Sequence, residues 1–325
     1  MRQTVALPFV VMTFLCWGMY GPLLHLGRSG MGNNSLLQFI CVGLAYFAIA
    51  VLVPLFMLKK RGETGRWTVG GAMWSLGAGA VGAVGALGVI FALTNGGSPV
   101  YVMPIVFGLA PVVNTFVSMW MTRSFKDAGK IFLSGVVLVA VGAAGVMYFA
   151  RARSVPMTSI WDLTVGELTI IISSIAVTAL CWGAYGPVLH KGQMRMDGSR
   201  MRPFLCVGLA YFLIAVLVPI AVLAVRRTQL TWTIPGASWS FGAGAAGAIG
   251  ALGIILAFNF GGRPIFVMPL VFGGAPVVNT VEFLVEHQAF DQLPVMFYVS
   301  LLSVIAGAVI VLVFAPRPRS AGHGR

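Results

Sequence analysis

Apolar residues in this chain do not alternate with polar ones at the period of a half-buried strand or helix. They run in long blocks broken by short polar stretches. Ten blocks occur, at roughly 5–26, 37–57, 70–94, 99–121, 131–150, 168–190, 203–224, 236–258, 264–285 and 295–314. An α-helix needs about 20 apolar residues to cross a hydrocarbon core. Lipid offers no partner for exposed backbone groups, so a block of this length predicts a helix that satisfies its own N–H and C=O groups. The pattern therefore predicts an all-α integral membrane protein with ten transmembrane helices. The connections between them leave no room for a soluble domain.

The second five blocks copy the first five. "CWGMYGPLLH" (Cys16 to His25) returns as "CWGAYGPVLH" (Cys181 to His190). "CVGLAYFAIAVLVP" (Cys41 to Pro54) returns as "CVGLAYFLIAVLVP" (Cys206 to Pro219). "WSLGAGAVGAVGALGVI" (Trp74 to Ile90) returns as "WSFGAGAAGAIGALGII" (Trp239 to Ile255), and "VMPIVFGLAPVVNT" (Val102 to Thr115) as "VMPLVFGGAPVVNT" (Val267 to Thr280). The offset is 165 residues throughout, so the chain is an internal duplication. Its period is too long for a solenoid repeat. The boundaries are 1–155 for the first five-helix repeat, 166–316 for the second, and 317–325 for a short basic cytoplasmic tail. Together they make one transmembrane domain.

Five is odd, so the second copy enters the membrane inverted. The cations agree. Of the 21 Lys and Arg, 16 fall on the side of the N-terminus, and only Arg28, Arg151, Arg153, Arg226 and Arg227 fall on the other. The excess of Lys and Arg in cytoplasmic loops then puts both termini in the cytoplasm. The loop after the fourth block carries Arg123, Lys126 and Lys130. Its copy after the ninth carries Glu286, His287 and Asp291 instead. The expectation is two inverted five-helix repeats in the cell (inner) membrane of a bacterium.

Composition narrows the picture further. The chain is 58% hydrophobic and 9% charged, where soluble domains carry about 25% charged residues. The net charge of +13 is spread over loops, not clustered on one soluble face, which argues against a nucleic-acid partner. Cys16, Cys41, Cys181 and Cys206 lie in or beside apolar blocks without a CxxC pair, so they read as small packing residues. No metal site, cofactor motif or catalytic constellation is legible. The glycines of "WSLGAGAVGAVG" follow no strand and are not a dinucleotide fingerprint; their spacing lets helices approach.

Candidate chemistry lies on two repeated stripes. At about 100° per residue, Thr13, Trp17 and Tyr20 share one face of the first helix, and Thr178, Trp182 and Tyr185 share the same face of the sixth. A hydroxyl, an indole and a phenol at membrane depth suit a small ligand with a ring surface and a few polar groups. Asn114 and Asn279 are the second pair, because an Asn in lipid must bond to a helix, water or substrate. Around them Pro22, Pro104, Pro111, Pro187, Pro269 and Pro276 predict breaks in the helices. Broken helices at mid-membrane are the sequence pointer to a transporter site. His25 and His190 lie at opposite mouths and suit a gate or a proton step.

The span order, the small-residue third span (Gly77, Gly79, Gly82, Gly85, Gly88) and the proline-containing fourth span "MPIVFGLAPVVNT" resemble the drug/metabolite transporter superfamily, in its EamA-like branch of ten-span transporters. The resemblance covers nearly the whole chain. It implies that spans 1, 3, 4, 6, 8 and 9 surround a central cavity. Two features depart from it. The turns after spans 4 and 9 read "SFKDAGK" and "AFDQL" where the family often has an acidic "GE" turn, and the "CWGxYGPxLH" phrase attaches to no characterised subfamily.

No Lys, Arg or Asp lies well inside a block, so phosphorylated sugars and organic cations, which call for buried countercharges, are disfavoured. The expectation is a secondary transporter, or permease, moving a small neutral or zwitterionic metabolite by alternating access, and not an enzyme. The alternatives are a passive solute channel and a membrane-embedded enzyme. The expected partners are a small-molecule substrate and membrane lipid; a coupling proton and a homodimer stay open.

Overall fold

A computed structural model describes residues 2–61, 64–150, 163–226, 230–262 and 264–316. The basic tail 317–325, and Arg151, Arg153, Arg227 and Arg263 of the charge count, lie outside the described residues. Ten helices are long and apolar enough to cross a membrane, and no strand occurs among the described residues. They are α1 (Arg2–Gly30), α2 (Ser35–Arg61), α3 (Val69–Thr94), α4 (Pro99–Thr122) and α5 (Lys130–Phe149), then α6 (Val165–Arg195), α7 (Met201–Arg226), α8 (Ile234–Asn259), α9 (Pro264–Glu286) and α10 (Val295–Val313). The protein is an all-α integral membrane protein by these helices.

Local chemistry sets the helix starts. Thr68 and Thr233 cap α3 and α8, each hydroxyl accepting from the backbone N–H three residues on, at Gly71 and Gly236. The same hydroxyls donate outward, Thr68 to the Arg195 carbonyl (2.8 Å) and Thr233 to the Gly30 carbonyl (3.1 Å). One side chain thus satisfies an orphan donor of one helix start and an orphan acceptor at the end of another helix. Ser98 caps α4 with Pro99 at its first position, where a missing N–H costs nothing. Thr164 and Glu167 form a capping box on α6.

The prolines do not break the helices. Pro22, Pro104, Pro111, Pro187, Pro269 and Pro276 all lie inside continuous helices. Helix packing supports a proline in a membrane span, where neighbours re-satisfy the freed carbonyl. The irregular backbone lies elsewhere, in a π-helical segment of α7 from Phe212 to Leu217. The corresponding stretch of α2 is α-helical.

The heaviest packing runs between the first five helices and the second five. α1 lies on α8 and α9; α6 lies on α3 and α4; α2 meets α7 and α8; α5 pairs with α10. The two halves therefore interleave. Their contacts are also reciprocal across the offset. Thr13 donates to the Gly250 carbonyl and Thr178 to the Gly85 carbonyl, both at 3.1 Å. A bond from residue i to residue j+165 is matched by one from i+165 to j. Within each half the duplication shows as well: the pair Ser35–Thr94 (2.7 Å) of the first recurs as Arg200–Asn259 (2.5 Å) in the second.

Candidate functional site

Between the halves lies a cavity lined by Trp17, Tyr20, Tyr46, Gly82, Phe107, Trp182, Tyr185, Tyr211, Gly247, Ala251 and Phe272. Ten of these eleven form five pairs separated by 165 residues. Helices α1 to α4 and α6 to α9 all contribute; α5 and α10 do not. None of the lining side chains carries a charge.

Phe107 sits at the centre of the aromatic wall. Its ring centroid lies 6.5 Å from Trp17, 6.2 Å from Trp182 and 6.3 Å from Phe272. Trp17 meets Phe272 edge-on at 6.0 Å, and Tyr20 meets Trp182 edge-on at 5.8 Å. Tyr46 and Tyr211 stack at 3.8 Å with their planes 6° apart. Each indole is held by the glycine helix of the opposite half. Trp17 Nε1–H donates to the Gly247 carbonyl and Trp182 Nε1–H to the Gly82 carbonyl, both at 3.2 Å. The indoles can lie this close only because Gly250 and Gly85 have no side chain, since a Cβ at either would overlap Cδ1 of its tryptophan.

This arrangement fixes what the cavity offers. Both indole donors are consumed by backbone. The polar groups left are phenol hydroxyls, and that of Tyr20 is buried without a partner. The volume is about 70 Å³. That is several times the ~10–15 Å³ that one water needs, so the space is of small-molecule size.

The structure brings together Trp17, Tyr20, Trp182 and Tyr185 of the residues singled out from sequence. It leaves the others off the cavity wall. Thr13 and Thr178 are fully buried, and each hydroxyl donates to a carbonyl one turn back in its own helix and to a glycine carbonyl of the facing helix. They join helices and lie off the cavity wall. Thr13→Val is therefore expected to cost about 1 kcal/mol or less in stability, with ligand affinity unchanged in a thermal-shift titration. Asn279 is fully buried and donates to the Pro99 carbonyl at 2.8 Å. Asn114 is half-buried, with its Oδ1 toward Gly186. His25 is half-buried with Nδ1 unpartnered, and His190 is exposed. Neither histidine touches the cavity.

Tyr46, Tyr211, Phe107 and Phe272 are the ring-bearing lining residues not singled out from sequence. The signal was present: a phenol at the same place in two apolar spans is costly in lipid unless it finds a partner. The resemblance implied a cavity without spans 2 and 7, whereas Tyr46 and Tyr211 bring both into its wall.

No family model matches the chain, and no curated relative does. Among solved structures, one described as "Crystal structure of protein" is similar to it with a TM-score of 0.58, over 98% of this chain and 99% of that one, at 18% identity. A likeness at that identity speaks for a shared fold alone.

Proposed function

We propose that the protein is a secondary transporter of the EamA-like drug/metabolite type, carrying a small neutral or zwitterionic metabolite by alternating access. The observation that carries this reading is the uncharged aromatic cavity built from five residue pairs, one member of each pair from each half. A cavity at the join of two related halves can be reached from either side by exchanging their roles. The inverted five-plus-five arrangement is part of the proposal. It is supported by the 165-residue duplication, the charge asymmetry of the loops and the reciprocal hydrogen bonds. Orientation with both termini in the cytoplasm of a bacterium rests on the loop charges.

Within that substrate class the lining favours a ring compound with few polar atoms. A carboxylate would find only phenol hydroxyls as donors, because both indole N–H groups are occupied. A buried unpaired charge is far more costly than a buried hydroxyl.

The test is counterflow in proteoliposomes together with thermal-shift titration, using neutral ring metabolites beside amino acids. Anything that binds only the folded state stabilises it by mass action. A ring compound is expected to saturate and to show counterflow. Tyr20→Phe should weaken its binding about tenfold, the loss of one hydrogen bond of roughly 1–1.5 kcal/mol. Flux that stays linear with concentration and shows no counterflow would point to a passive channel instead.

A further inference from the structure

The two halves are nearly identical in sequence around the cavity, yet they differ in how its two mouths are closed. At mid-membrane the crossings match. A Cβ on Gly18 would stand 2.5 Å from Val278 Cβ and 2.8 Å from the Ala275 carbonyl; one on Gly183 would stand 2.5 Å from Val113 Cβ and 2.8 Å from the Ala110 carbonyl. One turn further along α1 and α6 the asparagine contact still matches and the methionine contact does not. A Cβ on Gly21 would meet Met103 Cγ at 2.5 Å and Asn279 Oδ1 at 2.9 Å. On Gly186 it would meet Asn114 Oδ1 at 2.9 Å, and no atom of Met268, the counterpart of Met103, within 4 Å.

Burial follows the same division. Met103 is 0% exposed and Tyr20 3%, whereas Met268 and Tyr185 are half-buried. Gly21 is buried and Gly186 exposed; Asn279 is fully buried and Asn114 half-buried. Every difference has the same sign. The mouth at the end of α1 is shut and the mouth at the end of α6 is parted. Gly-Pro follows the Tyr on both sides, and Met-Pro opens both "VFG" runs, so the residue types at these positions match while their burial does not.

We infer that Met103, Gly21 and Asn279 form a closed gate, that Met268, Gly186 and Asn114 form its open counterpart, and that the two close in alternation. The methionine is the plug, the glycine its seat, and the asparagine a latch. In the closed gate the latch is the bond from Asn279 Nδ2 to the Pro99 carbonyl at the start of α4. In the open gate Asn114 is the matching latch, and it takes the carbonyl of Pro264 when that mouth shuts. This assigns the two asparagines to gating and away from substrate contact. It rests on the transporter reading, since a gate needs something to admit. On the orientation given by the loop charges, the structure is the state open to the cytoplasm.

The test is thiol accessibility in the full-length protein with Cys16, Cys41, Cys181 and Cys206 replaced by alanine. A single reporter, Met103→Cys or Met268→Cys, is labelled with a water-soluble, membrane-impermeant thiol reagent in open membrane sheets. A minor conformer is populated at roughly 0.1–10%, so the parted mouth should label at least tenfold faster than the shut one. Met268→Cys is the fast reporter. Asn279→Ala removes a latch without adding bulk, and Gly21→Leu fills a seat. Each should speed labelling of Met103→Cys and slow that of Met268→Cys. Gly186→Leu should leave Met268→Cys fast and Met103→Cys protected. Equal rates for the two reporters, or rates that rise together in Asn279→Ala, would overturn the gate. The labelling needs no substrate. Reciprocal rates with no saturable flux would leave the gate standing and sink the transporter, while saturable flux with equal rates would do the reverse.

Discussion

Gly250→Val is expected to abolish ligand binding while leaving a folded, helical protein, and Gly85→Val is expected to do the same. The reason is the way each tryptophan of the cavity is seated. The Nε1–Cδ1 edge of Trp17 lies against the Gly247–Gly250 turn of α8, and that of Trp182 against the Gly82–Gly85 turn of α3. A Cβ at Gly250 overlaps Cδ1 of Trp17, and it would stand where the indole edge now is. The backbone of α8 has little room to retreat, because α8 already abuts α2 at Gly244 and the Thr13 hydroxyl of α1 is bonded to the Gly250 carbonyl. The ring must therefore swing away from the helix, and the open direction is the cavity. Overpacking of this kind costs about 1–3 kcal/mol, which lowers the melting temperature without unfolding the bundle. The functional loss is larger, because a displaced indole fills a space of only about 70 Å³. Thermal-shift titration with the ring compound that stabilises the parent, read beside tryptophan fluorescence, checks this. If Gly250→Val melts lower but still binds, Trp17 is a packing residue and not a wall of the site.

The ten helices follow from length and hydropathy alone, because lipid leaves the backbone no other solution. The aromatic stripe on α1 and α6 was also legible, since helical periodicity places Trp17 beside Tyr20. What faces a stripe is a different matter. Thr13 lies within the same arc as Trp17, yet its hydroxyl is taken by Gly250, because α8 crosses α1 at that depth and exposes a bare carbonyl. Only the crossing tells a Thr that joins helices from one that meets a ligand. Tyr46 and Tyr211 were missed for the converse reason. Each lies in a span whose other residues look like lipid-facing apolar sequence, and their importance comes from stacking on one another across the two halves. The prolines misled because a missing N–H is a local fact, while its consequence depends on the neighbours. Here helix packing carries all six within continuous helices, and the π-helical turn from Phe212 to Leu217 ends two residues before Pro219, whereas Pro54 at the same place in α2 follows regular α-helix.

The glycines of α3 and α8 give the second large effect, and they separate residues that the sequence pattern treats alike. Gly79 and Gly244 are points where two backbones touch. A Cβ on Gly244 would stand 2.6 Å from Val42 Cα and 2.7 Å from its carbonyl oxygen; one on Gly79 would stand 2.7 Å from Val207 Cα and 2.9 Å from its carbonyl oxygen. Backbone cannot rotate aside as a side chain can. Gly79→Ala and Gly244→Ala must therefore push α3 off α7 and α8 off α2, at a cost of about 1–3 kcal/mol each, toward the upper end of overpacking. Gly77 and Gly242 lie two residues earlier on the same helices, and a Cβ on either meets nothing within 4 Å. There alanine only removes the entropic penalty of a helical glycine, which favours the folded state by roughly 0.5–1 kcal/mol. Thermal unfolding of the four detergent-solubilised variants should split them into two pairs, with Gly79→Ala and Gly244→Ala well below the parent and Gly77→Ala and Gly242→Ala at or above it. The pairing across the halves is the informative part. If the halves interleave as described, the two members of each pair must move together. A structure in which one half folded by itself and the other only leaned on it would put Gly79 and Gly244 in different environments and separate their melting temperatures.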